Sequence, residues 1–437
     1  MATTATFHIV MFPWFAMGHI TPFLQLANKL AERGHKVSFF IPKNTQNKVN
    51  HLNLHPHLIT FIPLIVPQVD GLPVGTETMS DLPVTKSPLL LQALDLTQEQ
   101  VEPLVQKLKP DFIFFDFCYW ITTLARRLGI ISIMFAVISV VAFLSICNLK
   151  LYNYKPFEAK DQSFLSTEID GRISFFNRVT TSLRESEALC FRSCSEMEGP
   201  NCEYLKNLYN KQVLLTGPIL PESSNNPLEE RWSKWLGGFE KGSVVYCAFG
   251  SECVLEKNQF QELVLGLERT GLPFLVRLKP PVGAETLEEA LPEGFQERVK
   301  GRGVVHGGWV QQQQILNHPS VGCFVSHGGS SSIWESLVSS CQIIFVPQSG
   351  AQFADTKLMS EDLKVAVNVQ RREEDGWFTR ESLCEAVKLV MDEGSEVGKQ
   401  VRENHHKWKE FLLSEGLDSS YIDNLIIKLQ DILLSKA

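Results

Sequence analysis

The chain lacks most of the short signatures that declare a function. Its ten cysteines contain no C-x2-C pair. Several lie in apolar runs, so buried reduced thiols are expected rather than zinc ligands or a disulfide framework. No N-x-S/T sequon occurs, which fits a cytoplasmic protein. Residues 1–8 carry no Lys or Arg, and Pro13 interrupts the apolar segment 9–15, so no secretory leader is expected. No G-x-G-x-x-G follows the first strand-like run, which argues against a nicotinamide oxidoreductase, and neither a Walker A sequence nor a G-x-S-x-G elbow is present. There is no D-x-D pair to clamp a divalent ion, so no metal is expected. Positive charge is short as well. Lys and Arg number 41 against 49 Asp and Glu, a net charge of −8. A protein whose task is gripping nucleic-acid phosphates needs a basic face, so that class is set aside.

Charge is missing altogether from 128–147, a run as long as a membrane span. Strands of a parallel sheet covered on both faces also read as continuously apolar. The segment is therefore expected to be a buried strand, 130–136, leading into a buried helix, with no stable membrane insertion.

What is present is a strand-helix alternation over 437 residues, enough for roughly two to four domains. Residues 8–12, 37–41 and 112–115 read as strands. A helix is expected through residue 33, with Pro22 in its first turn, where a missing N–H costs little. A second alternating block begins at Val244, with strands at 244–249, 274–278, 304–306, 323–326 and 343–347 and helices at 259–269 and 331–339. Residues 151–215 read as less regular, with helical patches. The expected architecture is α/β, with two Rossmann-like doubly wound domains. The domain expectation is 1–216, a connecting segment at 217–242 rich in Pro, Ser, Asn and Gly, a second domain at 243–415, and a final helix at 416–437 packing back on the first.

Ligands of such sheets bind beyond the carboxyl ends of the strands. His19 and Asp116 both lie in that zone. Imidazole is the usual general base near neutral pH, and a carboxylate on Nδ1–H would fix its tautomer. A capping or surface histidine is the plain alternative. Gly328-Gly329-Ser330-Ser331-Ser332 joins a strand to a helix, where outward N–H groups and the helix dipole favour an anion. His327, Gly329, Ser331, Ser332 and, after another strand, Ser251 therefore suit a diphosphate. Glu335, one turn into the helix, can take ribose hydroxyls, and Trp309 can stack on a base. An N-capped helix after a glycine turn is the plain alternative.

Together these segments carry a resemblance. The 44 residues 309–352, Phe-Pro-Trp-Phe-Ala-Met-Gly-His at 12–19, Phe-Phe-Asp-Phe at 114–117 and Phe-Gly-Ser at 249–251 resemble plant family 1 UDP-sugar-dependent glycosyltransferases over nearly the whole chain. The resemblance implies a GT-B fold, with the two domains facing each other across a cleft. It also implies an inverting, metal-independent displacement by an acceptor hydroxyl, with UDP leaving and no cofactor beyond the UDP-sugar co-substrate. It makes His19 the base and Asp116 its orienting partner. Trp309 and Val310 would hold uracil, Gln312 and Glu335 the ribose, and His327, Gly329, Ser331, Ser332 and Ser251 the diphosphate. Gln352 would touch the donor sugar.

The N-terminal pattern is most like the clade that adds a sugar to a flavonoid or terpenoid glycoside. Phe15, Gly18, Phe117, Tyr119 and Trp120 are the expected acceptor-side residues of a monomeric enzyme. Several positions depart from the family pattern. Gln311, Gly328, Ser330 and Ser331 stand where Pro, Cys, Trp and Asn are usual, and Ala351 stands where Asp or Glu is usual. These departures leave a non-catalytic nucleotide-sugar or glycoside binder as the alternative.

Overall fold

A computed structural model describes residues 6–147, 173–220, 227–348, 350–372 and 374–436. The chain divides into two units, Met1–Ile219 with Glu415–Ala437, and Leu220–Ser414. Each is built on one parallel sheet.

The first sheet holds β1 (His8–Phe12), β2 (Lys36–Pro42), β3 (Ile59–Leu64), β4 (Phe112–Phe115), β5 (Ile131–Ala136), β6 (Ala188–Phe191) and β7 (Gln212–Leu215). Their order is β3-β2-β1-β4-β5-β6-β7, so the winding reverses between β1 and β4. Phe12 lies opposite Phe115. The chain therefore leaves both strands at the same level, and the two following loops emerge side by side. Apolar clusters fill both faces of this sheet, which is why β4 reads Phe-Ile-Phe-Phe without alternation. The charge-free run 128–147 is accounted for in the same way: it forms β5 and the buried helix Val140–Ile146. Among the described residues no helix is long and apolar enough to cross a membrane.

The helix Met17–Ala31 starts earlier than expected, which moves Pro22 from its first turn to its interior. There Pro22 offers no N–H to the Gly18 carbonyl four residues before it. The chain end returns to this unit. Helix Leu417–Lys436 buries Ile422, Leu425, Leu429 and Ile432 in the same core as Ile9, Met11, Val37 and Phe39. Gly217, at φ +74, is required for this docking, because a Cβ there would stand 2.7 Å from the Tyr421 Cβ.

Two sequence expectations need correction here. The described part of 151–215 is regular, consisting of helix Phe175–Glu185, β6, helix Ser195–Tyr209 and β7. Both strands have only four residues, too few to show a period. Residues 151–172 lie outside the described residues. The connecting segment at 217–242 also contains a packed helix, Glu230–Leu236, whose Trp232 and Leu236 are buried with Tyr246 and Phe324 in the second unit's core.

The second sheet holds β8 (Val244–Ala248), β9 (Phe274–Arg277), β10 (Gly303–His306), β11 (Val321–Ser326), β12 (Gln342–Phe345) and β13 (Ala366–Asn368) in the order β10-β9-β8-β11-β12-β13. It repeats the topology of the first sheet. The winding reverses between β8 and β11, and Ala248 lies opposite Ser326. Each unit thus offers one switch point where a ligand can approach strand ends.

Candidate active site

In the first unit the switch point brings together two residues 97 positions apart. His19 Nδ1 lies 2.7 Å from Asp116 Oδ2. A carboxylate only accepts, so Nδ1 carries the hydrogen of this contact, which in the neutral imidazole leaves Nε2 as the acceptor. Asp116 is almost fully buried while the His19 side chain is 21% exposed. The other Asp116 oxygen, Oδ1, accepts the Phe117 N–H at 2.6 Å. Both oxygens are therefore committed, and the ring is held from behind with one edge toward solvent. Phe117 packs beside that ring, centroid to centroid 5.2 Å.

The other acceptor-side expectations divide. Phe117 and Tyr119 are both half-buried, and of the two Phe117 is the one whose ring lies against His19. Space is open at Gly18, where a Cβ would meet nothing within 4 Å. Phe15 and Trp120 prove to be core instead. Phe15 is fully buried, Trp120 is 6% exposed, and both rings pack on Phe12. Their aromatic bulk goes into closing the sheet face. The Phe15 carbonyl accepts the Met79 N–H at 2.9 Å and so anchors the loop that leads to His19.

In the second unit two of the expected nucleotide residues, Ser251 and His327, follow the strands on either side of the other switch point. His327 follows β11, and its ring stacks on Phe249 at 6.0 Å. It lies in a cradle of glycines: a Cβ at Gly250 would stand 3.0 Å from its Cε1, and one at Gly329 would stand 2.7 Å from its Nε2. Burial pushes the imidazole down to about 4, so it is neutral near pH 7. Its Nδ1 is out of solvent with no hydrogen-bond partner among the described residues. A neutral ring of this kind meets a phosphate as an N–H donor rather than as a cation.

The helix Ser330–Leu337 begins at Gly329, which has no side chain to cap it, and carries no acidic residue in its first turn. Ser331 is half-buried there and Ser332 is buried. Ser251 is exposed just beyond β8. These groups leave a neutral, donor-rich helix start of the kind that suits a diphosphate.

Gln312 ties the ribose candidates into one cluster. Its amide nitrogen donates to Glu335 Oε2 and, at 3.3 Å, to Ser332 Oγ. Its carbonyl oxygen accepts from the Tyr246 hydroxyl at 3.2 Å. Tyr246 is fully buried, and burial first, then the Glu335 charge, raises its pKa, so it stays a donor. Sequence reasoning missed this residue. The available signal was a lone hydroxyl in the otherwise apolar strand Val-Val-Tyr-Cys-Ala.

Trp309 stands 70% exposed while the adjacent Val310 is buried. Gln311, where the family pattern has Pro, accepts the Glu229 N–H at 2.6 Å and donates to the Pro227 carbonyl at 2.9 Å. It thereby pins the incoming chain. Ala351 opens the helix Ala351–Lys357 and is half-buried. Gln352 Oε1 accepts the Gln348 N–H at 2.8 Å, so this side chain organises its own loop. Asp355 is buried.

Known proteins match this chain along its length. A family model described as UDP-glucoronosyl and UDP-glucosyl transferase matches residues 175–404. The cyanidin 3-O-galactoside 2''-O-xylosyltransferase of Actinidia chinensis var. chinensis is 51% identical, covering 98% of this chain and 99% of its own. The anthocyanidin 3-O-glucoside 2''-O-glucosyltransferase of Ipomoea nil is 48% identical, covering 98% of each. Among solved structures, UGT89C1 of Arabidopsis thaliana complexed with UDP-L-rhamnose superposes with a TM-score of 0.79 at 25% identity, covering 98% of this chain and 100% of that one.

Proposed function

We propose that this chain, which belongs to the UDP-glucoronosyl and UDP-glucosyl transferase family, moves a sugar from a UDP-sugar to the 2''-hydroxyl of a 3-O-glycosylated anthocyanidin or related flavonoid. The transferase class follows from the family. The acceptor is inferred from what the relatives named above act on. The observation that carries the chemistry is the 2.7 Å contact between His19 Nδ1 and Asp116 Oδ2.

In this reading His19 Nε2 takes the proton from the acceptor hydroxyl. The oxygen attacks the anomeric carbon, the bond from that carbon to the phosphate oxygen breaks, and UDP leaves with inversion. Asp116 holds the tautomer and stabilises the imidazolium that forms. Uracil stacks on Trp309 and bonds to the Val310 backbone. Glu335 and Gln312 take the ribose hydroxyls. His327, Ser251, Ser332, Ser331 and the N–H groups beginning at Gly329 receive the charge that grows on the diphosphate. Gln352 faces the donor sugar. The absence of a D-x-D pair supports a metal-independent step. The protein acts as a cytoplasmic monomer with no resident cofactor. The non-catalytic alternative is not favoured, because the dyad is intact and the relatives are transferases.

The test is incubation of UDP-xylose, UDP-glucose and UDP-rhamnose with cyanidin 3-O-glycosides and with the aglycone, with products read by mass and linkage. A pentosyl or hexosyl adduct on the sugar of the glycoside is expected. Product from the aglycone alone would overturn the acceptor assignment, and UDP release without any adduct would overturn the transfer itself.

A further inference from the structure

Behind the His19–Asp116 pair lies a second charged pair that the reaction itself does not use. Arg178, in the helix Phe175–Glu185, is only 3% exposed. Its guanidinium grips Asp95 with two bonds of 2.6 Å, Nη1 to Oδ1 and Nη2 to Oδ2. The same Nη1 also donates to the Phe117 carbonyl at 3.0 Å. That carbonyl accepts the Tyr119 N–H at 3.1 Å as well, closing a tight turn just past β4. The guanidinium carbon lies 5.0 Å from the Tyr119 ring centroid, and Phe175 packs edge-on against Phe117 at 4.9 Å.

Phe117 is therefore gripped on both sides. Its carbonyl is held by Arg178, and its N–H supplies the 2.6 Å bond that fixes Asp116 Oδ1. The remaining oxygen, Asp116 Oδ2, orients His19. Burying an arginine is costly unless its charge is paired and its donors are used. Here the fork pairs with Asp95 and Nη1 keeps a second, charge-assisted bond to the carbonyl of the residue that follows Asp116, while Nε has no partner among the described residues.

We infer that Arg178, neutralised by Asp95, is a positioning residue for the reaction: it holds the Phe117 carbonyl, and through the Phe117 N–H in the preceding peptide it fixes the angle at which Asp116 presents His19 to the acceptor hydroxyl. This rests on the reading of His19 as the base. Misplacing a catalytic group by about an ångström can cost on the order of a hundredfold in rate. The cost falls on acceptors that need a base and spares those that ionise unaided.

The experiment compares wild type, Arg178→Met, Arg178→Lys, Asp95→Asn and His19→Ala with two acceptors, a glycoside hydroxyl and an acidic aryl thiol. Melting temperature and UDP affinity are measured alongside. Arg178→Met is expected to lower kcat for the glycoside by roughly tenfold to a hundredfold, with KM and UDP affinity within about twofold of wild type and the thiol rate much less affected. Arg178→Lys, which keeps the charge but not the fork, is expected to recover part of the loss. If Arg178→Met does not fold, Arg178→Lys and Asp95→Asn carry the same comparison. Equal losses for both acceptors, or none, would overturn the inference while leaving the base assignment intact. A fully active His19→Ala would instead overturn the base assignment.

Discussion

Gly328 and Thr356 compete for one space. A Cβ on residue 328 would stand 2.2 Å from the Thr356 Cγ2, and Gly328 also sits at φ +78. Thr356 is fully buried, so its methyl has nowhere to go. The glycine at a position where the family pattern has cysteine is thus matched to its neighbour. Gly328→Ala is expected to cost about 1–3 kcal/mol of stability and to weaken UDP binding through the adjoining His327. Adding Thr356→Ser removes the methyl but keeps the hydroxyl, and part of the loss should return. A double-mutant cycle on melting temperature and UDP affinity reads the coupling.

His19→Ala should lower turnover by roughly 10²–10⁴-fold, the range of a lost general base, with UDP affinity nearly unchanged. Asp116→Asn should lower kcat as well, because an amide facing Nδ1 no longer selects the tautomer that leaves Nε2 free to accept. Steady-state kinetics alongside UDP calorimetry separate these losses from binding. A wild-type rate in either variant would contradict the assigned roles.

In the proposed reading Ala351 stands at the donor-sugar end of the site, where the family pattern has a carboxylate. Introducing it as Ala351→Asp adds a charged acceptor for sugar hydroxyls, worth about 1.5–3 kcal/mol where it forms. The expected outcome is a KM for UDP-glucose lowered by at least about tenfold, with UDP affinity unchanged. Competition between UDP-sugars reads whether the preference among donors moves with it.

Acid should destabilise the second unit through His405. This residue is buried, its Nε2 lies 3.2 and 3.1 Å from the Ser336 and Leu337 carbonyls, and burial pushes its pKa down to about 4. Its folded pKa lies below the unfolded value near 6.5, so the unfolded chain binds the proton first as pH falls. Stability present above about pH 6.5 is lost progressively down to about pH 4, on the order of 3 kcal/mol for this group. His405→Gln, which can still donate to a carbonyl but does not titrate, should reduce the fall in urea midpoint across that window, the part due to His327, also held at about 4 by burial, remaining.

The sequence by itself determined the element order of most of the two sheets and the loops that carry chemistry. The all-apolar run Phe112–Phe115, and 323–326 just before a glycine pair, read as buried parallel strands. Glycines after strands marked where the backbone turns toward a ligand. The order of residues along the chain also supplied the candidates His19, Asp116, His327 and Glu335.

Only the tertiary structure decided which of those candidates meet. The reversal between β1 and β4, with Phe12 level with Phe115, sets His19 against Asp116 across 97 residues. The same packing sent Phe15 and Trp120 into the core and brought Tyr246 and Arg178 to the sites. Aromatic or charged character states what a side chain can do. Its partners are fixed by sheet order and register, which arise from burying the whole apolar surface at once and leave no local trace in the chain.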